Sequence, residues 1–215
     1  WVARAAGAAT GAVSRGFPGP AGMGLAADGT GVIGGAGGRG VGATAVATER
    51  GAETVVIDGV PERLERATDF GADHTIDIGE TDPAARRERV EALTDGLGAD
   101  AAVEVTGVPA AIDEGSGLLG QGGRYLVMGT IIPGQEATID PGRAVRTSIE
   151  LTTTMRYPPW RLGEAVDFLV AHGEAYPFGS LIDAEYPLDA VGTALRDSAE
   201  RRVTRAALVP GLDGE

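Results

Sequence analysis

Two features of the sequence have the residue types and spacing to do chemistry. The first is Gly35-Ala36-Gly37-Gly38-Arg39-Gly40, a G-x-G-x-x-G pattern, and the second is Asp58, eighteen residues past Gly40. In such a pattern Gly35 permits a tight turn, and Gly37 lets the backbone approach a pyrophosphate with no Cβ in the way. Gly40 allows close packing of helix on strand. Free amides at the helix start, with the positive end of its dipole, then bind the anion, which adds Gly38 and Arg39 to the cofactor-binding set. Asp58 would accept hydrogen bonds from the adenosine ribose hydroxyls and repel a 2′-phosphate, favouring NAD over NADP. An aspartate capping the next helix is the other reading of Asp58, and the two are compatible. Arg63 either flanks the ribose or adenine or is a solvated helix arginine.

The motif has meaning only between a strand and a helix, and the flanking sequence predicts both. Gly31-Val32-Ile33-Gly34 is a short apolar run, and Val41 to Arg50 carries the small apolar residues of a packed helix. The alternation continues with strands at Val55–Asp58, His74–Asp77, Ala101–Val105, Arg124–Met128 and Ile149–Thr153. Helices are expected over Pro61–Phe70, opened by proline in its first turn, over Pro83–Thr94, charged and amphipathic, and over Pro109–Leu119. Six strands joined by right-handed helical crossovers give an α/β, doubly wound parallel sheet whose ligand lies at the carboxyl ends of the strands, where strand order reverses. Beyond Tyr157-Pro158-Pro159 a helix over Arg161–His172, another near Leu188–Glu200 and an apolar run Ala206–Val209 complete the pattern. Residues 1–29, broken by Phe17-Pro18-Gly19-Pro20, are expected to be a helix remnant and a linker.

Composition narrows the function. The 215 residues are 43% hydrophobic with mean hydropathy +0.01, which suits one or two globular domains. Aromatics at 5% and 35 glycines imply a core of small aliphatic side chains. The net charge of −13 repels phosphate backbones and anionic lipid, so neither nucleic acid nor a membrane surface is expected as a partner. Every basic residue is arginine, and lysine and asparagine are absent, as in proteins of GC-rich genomes; adaptation to high salt is the sharper reading. Zero cysteines exclude disulfides and thiolate metal ligands within this sequence. No apolar run approaches the ~18 residues of a membrane span, and a cytoplasmic protein is expected.

Together with Val56-Ile57-Asp58-Gly59-Val60-Pro61, Phe70-Gly71-Ala72-Asp73-His74, Glu104-Val105-Thr106-Gly107, Gly122-Gly123-Arg124-Tyr125 and Arg156-Tyr157-Pro158-Pro159-Trp160, the motif gives the chain its likeness. From about Thr30 to Val209 it resembles the medium-chain, zinc-type alcohol dehydrogenases, in particular the sorbitol/threonine-dehydrogenase-like branch. The resemblance implies a Rossmann domain over residues 30–155 and, over 156–215, a segment that returns to complete the catalytic domain. It implies that Val105, Thr106 and Gly107 line the adenosine and nicotinamide-ribose side of the cleft. Met128, Gly129 and Thr130 would meet the nicotinamide. Arg205 falls where the family often has a basic residue near the pyrophosphate, with a surface arginine as the alternative. His74 is expected to be structural.

The resemblance also sets what this sequence does not supply. In the family a preceding catalytic domain carries the zinc ligands and the Ser/Thr that relays the substrate proton, and no such domain lies before Thr30; zinc is expected for the family, but no ligand set for it here. The expected function is therefore the cofactor-binding portion of an NAD-dependent dehydrogenase of alcohols or polyols, inactive alone. A catalytically silent NAD(H)-binding module and a zinc-free, quinone-reductase-like NADPH enzyme are the alternatives. The helices beyond Arg156 are expected to expose an apolar face. Pairing of subunits through Ile149–Thr153, giving a homo-oligomer, is a further implication.

Overall fold

The computed structural model describes residues 25, 27–129, 132–154 and 161–212. Most of the expected N-terminal linker, Thr130 and Arg156–Trp160 lie outside these residues. Six strands form one sheet in the order β3-β2-β1-β4-β5-β6, every neighbouring pair parallel. They are β1 (Thr30–Gly34), β2 (Glu53–Asp58), β3 (His74–Asp77), β4 (Ala99–Glu104), β5 (Leu119–Val127) and β6 (Glu150–Thr153). The crossovers carry helices α1 (Gly38–Glu49), α2 (Pro61–Asp69), α3 (Pro83–Leu93), α4 (Ala110–Leu118) and α5 (Pro141–Thr147). Strand order reverses between β1 and β4, so the cleft opens where the glycine pattern leaves β1.

Alternation along each strand sends successive side chains to opposite faces. Val32, Val55, Ala102 and Tyr125 join a core beside Val90 of α3 and Leu118 of α4, whereas Ile33 and Val56 join Val41 and Leu64 of α1 and α2. Both faces are covered, which is why the strands read as unbroken apolar runs. Two helix starts are locked by aspartates: Asp82 Oδ1 accepts from the Ala85 amide at 2.8 Å, and Asp140 Oδ1 from the Arg143 amide at 3.0 Å. The second of these opens α5, a helix the sequence reading passed over although Asp140-Pro141 is an N-terminal signature. β5 also begins earlier than expected, at Leu119, with a register shift against β4 between Ala99 and Ala101.

After residue 160 come α6 (Arg161–His172), a 3-10 turn (Phe178–Leu181), β7 (Ala184–Tyr186), a second 3-10 turn (Leu188–Ala190), α7 (Val191–Ala199) and β8 (Ala206–Leu208), which pairs in parallel with β7. This segment packs onto the sheet. Phe70 stacks with Tyr176 at 6.1 Å and meets Phe178 edge-on at 5.1 Å, while Ala165 is fully buried. Glu49, the last residue of α1, accepts from the Tyr176 hydroxyl at 2.8 Å and pairs with His172 Nδ1 at 2.9 Å. The outward face of α6 bears Leu162, Val166 and Val170, the last 82% exposed. The exposed apolar face expected beyond Arg156 is thus present on α6, whose other face is packed on the sheet. β6 is exposed along its whole length. No helix of the described residues is long and apolar enough to cross a membrane.

Because Phe70 joins α2 to the aromatic cluster of the C-terminal segment, Phe70→Ala should cost about 3–5 kcal/mol. A urea titration checks this, and a loss below ~1 kcal/mol would show that the cluster does not bind the segment to the sheet.

Candidate functional site

The glycine loop is shaped by contacts that admit no side chain. Gly35 sits at φ 107, a conformation that suits glycine, and its amide still donates to Ile57 O at 2.8 Å. A Cβ on Gly40 would lie 1.7 Å from the Gly35 carbonyl oxygen. Gly40 is thus required by the loop's own first turn more than by the strand beneath it. A Cβ on Gly37 would meet nothing within 4 Å, so the chain there faces open space. Helix α1 begins at once, its first amides lacking intrahelical acceptors.

Asp58, ending β2, reaches back into this loop. Its Oδ2 accepts from the Ala36 amide at 2.7 Å, and its Oδ1 from the amides of Gly59 and Val60 at 2.8 and 3.0 Å. The N-cap of α2 is Val60, with no side-chain cap, so Asp58 fixes the turn before the helix and does not cap it. Asp58, Arg63, Gly35, Gly37, Val105 and Thr106 line one cavity of about 300 Å³. Gly59, Ile78, Val108 and Arg201 line it too, none singled out in the sequence. Arg201 stands in the left-handed region at φ 59. The cavity extends between α3 and α4, where the Tyr125 hydroxyl donates to Ala111 O at 2.8 Å and burial pushes its pKa up.

Of the remaining expected residues, none of those described lines the cavity. Arg39 Nη1 donates to Met128 O at 3.4 Å, joining the start of α1 to the exit of β5. A Cβ on Gly38 would lie 3.2 Å from Arg205 Nη2, so the Arg205 guanidinium covers the first turn of α1. Asp183 places it: its carboxylate accepts from the Thr204 amide at 2.8 Å and the Arg205 amide at 3.0 Å, and Arg66 stands 3.5 Å away. Burial acts to raise the Asp183 carboxyl, but the amides of Arg205 and Thr204 together outweigh it and hold it below its usual value. Gly107 and the buried Met128 and Gly129 follow the ends of β4 and β5 and do not line the cavity. His74 pairs with Glu53 at 2.9 Å across β2 and β3, a structural position.

Sequence reasoning missed Glu104. It is 1% exposed at the end of β4, and accepts from Thr106 Oγ1, Gly107 N and Gly129 N at 2.7, 2.8 and 3.0 Å. The signal was a single charge in the apolar run Ala101-Ala102-Val103-Glu104-Val105.

The profile of the zinc-binding dehydrogenases matches residues 38–171, more than half of the chain. The chain belongs to this family. Among curated proteins it is similar to the 5-exo-hydroxycamphor dehydrogenase of Pseudomonas putida, 31% identical over 194 residues, covering 89% of this chain and 53% of that protein. It is also similar to the L-threonine 3-dehydrogenase of Bacillus subtilis, 39% identical over 115 residues, which are 53% of this chain and 32% of that one. The fold matches a crystal structure of an alcohol dehydrogenase from Thermotoga maritima with a TM-score of 0.85 at 29% identity, over 95% of this chain and 55% of the other. The chain thus spans about half the length of the Pseudomonas and Thermotoga proteins and belongs to the zinc-type medium-chain alcohol dehydrogenase family, with that family's parallel sheet. Among the described residues no three His, Cys, Asp or Glu side chains form a group able to hold a metal ion, so the residues present do not fit the family's zinc.

Gly40→Ala should displace the loop and lower NADH affinity by at least about a hundredfold, ~2.7 kcal/mol. Fluorescence titration reads this, and unchanged affinity would remove the loop from the site. Because folding lowers the Asp183 pKa, its contribution is complete above the unfolded value near ~4 and disappears as pH falls through the folded one. Asp183→Asn should therefore lower the urea midpoint at neutral pH, with the deficit shrinking below about pH 4. A deficit independent of pH would contradict this.

Proposed function

We propose that the chain is the cofactor-binding portion of an NAD-dependent alcohol or polyol dehydrogenase, moving hydride between a primary or secondary alcohol and NAD. The observation that carries this reading is the convergence on one cavity of Gly35 and Gly37 of the glycine loop, Asp58 and Arg63, with Arg205 over the start of α1. The loop amides and Arg205 would hold the pyrophosphate. Asp58, already fixed by three amides, keeps one acceptor site, on Oδ2, for a ribose hydroxyl, since each carboxylate oxygen has two lone pairs and both of Oδ1 are taken. Val105, Thr106, Gly107, Met128, Gly129 and Thr130 would form the wall on the nicotinamide side. NAD, when bound, supplies the hydride acceptor; the chain's own part is to orient it and exclude water.

On this reading residues 30–155 are the dinucleotide-binding domain and 156–215 the segment that completes the catalytic one. The apolar stripe of Leu162, Val166 and Val170 on α6 is the face that meets the rest of the enzyme, and the exposed β6 edge is where subunits pair. The names of the relatives, acting on hydroxycamphor and threonine, support an alcohol substrate. The chain alone should show no turnover of alcohols.

Parallel titrations with NADH and NADPH test the reading. NADH should bind at least about tenfold more tightly, 1.4 kcal/mol, and Asp58→Asn should narrow that ratio by removing the charge facing the 2′ position. Equal affinities in the unaltered chain would overturn the assignment of NAD.

A further inference from the structure

The exits of β4 and β5 are joined by a buried carboxylate that the loop, Asp58 and the arginines do not account for. Glu104 Oε1 accepts from the Thr106 hydroxyl and the Gly107 amide, and Oε2 from the Gly129 amide. Its backbone carbonyl receives the Met128 and Gly129 amides at 2.9 and 3.1 Å. The Thr106 oxygen in turn accepts from the Val108 amide at 3.0 Å, and Val108 lines the cavity. There is no slack in this arrangement. A Cβ on Gly129 would lie 2.5 Å from Gly107 N and 2.6 Å from Glu104 Oε1, so the two loops touch backbone to backbone. Gly107 itself turns at φ 79.

Core stability alone does not ask for this residue. A carboxylate at 1% exposure carries a desolvation cost that an aliphatic side chain would not, and hydrogen bonds must offset it. Those bonds go to the Thr106 hydroxyl and to the Gly107 and Gly129 amides just past the strand ends, the Gly129 amide being shared with the Glu104 carbonyl, on the side of the sheet where a ligand binds. Asp58 does the same for the loop at the adenosine end.

We infer that Glu104 is a positioning residue for the nicotinamide half of the cofactor. Its carboxylate sets the separation of Thr106-Gly107 from Gly129, and so the wall against which the nicotinamide ribose and ring lie. The inference rests on the NAD reading above.

The test compares NADH with ADP-ribose, which lacks the nicotinamide, by titrating the full chain and its Glu104→Gln and Glu104→Asp variants. The unaltered chain should bind NADH about tenfold more tightly than ADP-ribose. Glu104→Gln sets an amide N–H against donors and should bring NADH down to the ADP-ribose level, with ADP-ribose affinity unchanged. Glu104→Asp, too short to reach both loops, should do likewise. Should Glu104→Gln fail to fold by circular dichroism, Thr106→Val removes one donor to Oε1 and should narrow the same ratio. A parallel loss of both ligands would reduce Glu104 to a structural residue and overturn the inference, as would NADH and ADP-ribose binding equally to the unaltered chain. Binding of neither ligand to the unaltered chain would instead bring down the NAD reading, and the inference with it.

Discussion

A parallel sheet covered on both faces satisfies its backbone along the strands but leaves amides unpaired where the strands stop. In this protein two carboxylates collect them. Asp58 gathers Ala36, Gly59 and Val60 at the ends of β1 and β2, and Glu104 gathers Gly107 and Gly129 at the ends of β4 and β5. The loops after β1, β2 and β4 that line the cavity are each tied to one of these two side chains.

Charge is distributed to match. The chain carries a net −13, yet Arg63 and Arg201 line the cavity, beside Asp58 and the paired Arg86 and Glu114, and Arg39 and Arg205 flank the start of α1. An anionic ligand would be repelled by the surface at large and attracted at the cleft, where low-dielectric walls and the helix dipole strengthen the local field. The arginines are placed from different parts of the chain: one in α1, one in α2, two from the C-terminal segment. On the proposed reading, selectivity for an anion would depend on the segment after residue 160 as well as on the glycine loop.

The sheet was legible in the sequence because its burial on both faces leaves apolar runs that glycine and proline punctuate, as at Gly34 and Pro61. Gly35, Gly40 and Asp58 were legible as a spacing. Contacts made across long sequence separations were not. Nothing in the local pattern around Arg205 shows that Asp183 holds it against α1, or that Tyr176 and His172 share Glu49. The β7–β8 pair was missed for the same reason, since three-residue strands pack too little surface to leave a period. Glu104 shows the limit from the other direction. Its charge within an apolar run was visible, but its partners are defined only once β5 lies beside β4.

The C-terminal segment grips α1 at both ends, with Arg205 over Gly38 and the Tyr176 hydroxyl and His172 on Glu49. Over its ~18 Å the helix is therefore a beam on two supports drawn from the same stretch of polypeptide. Sliding or tilting of that beam would blur the row of amides at its first turn. Held in this way, the amides are oriented before any anion arrives, and the entropy of ordering them is lost during folding and not again on binding.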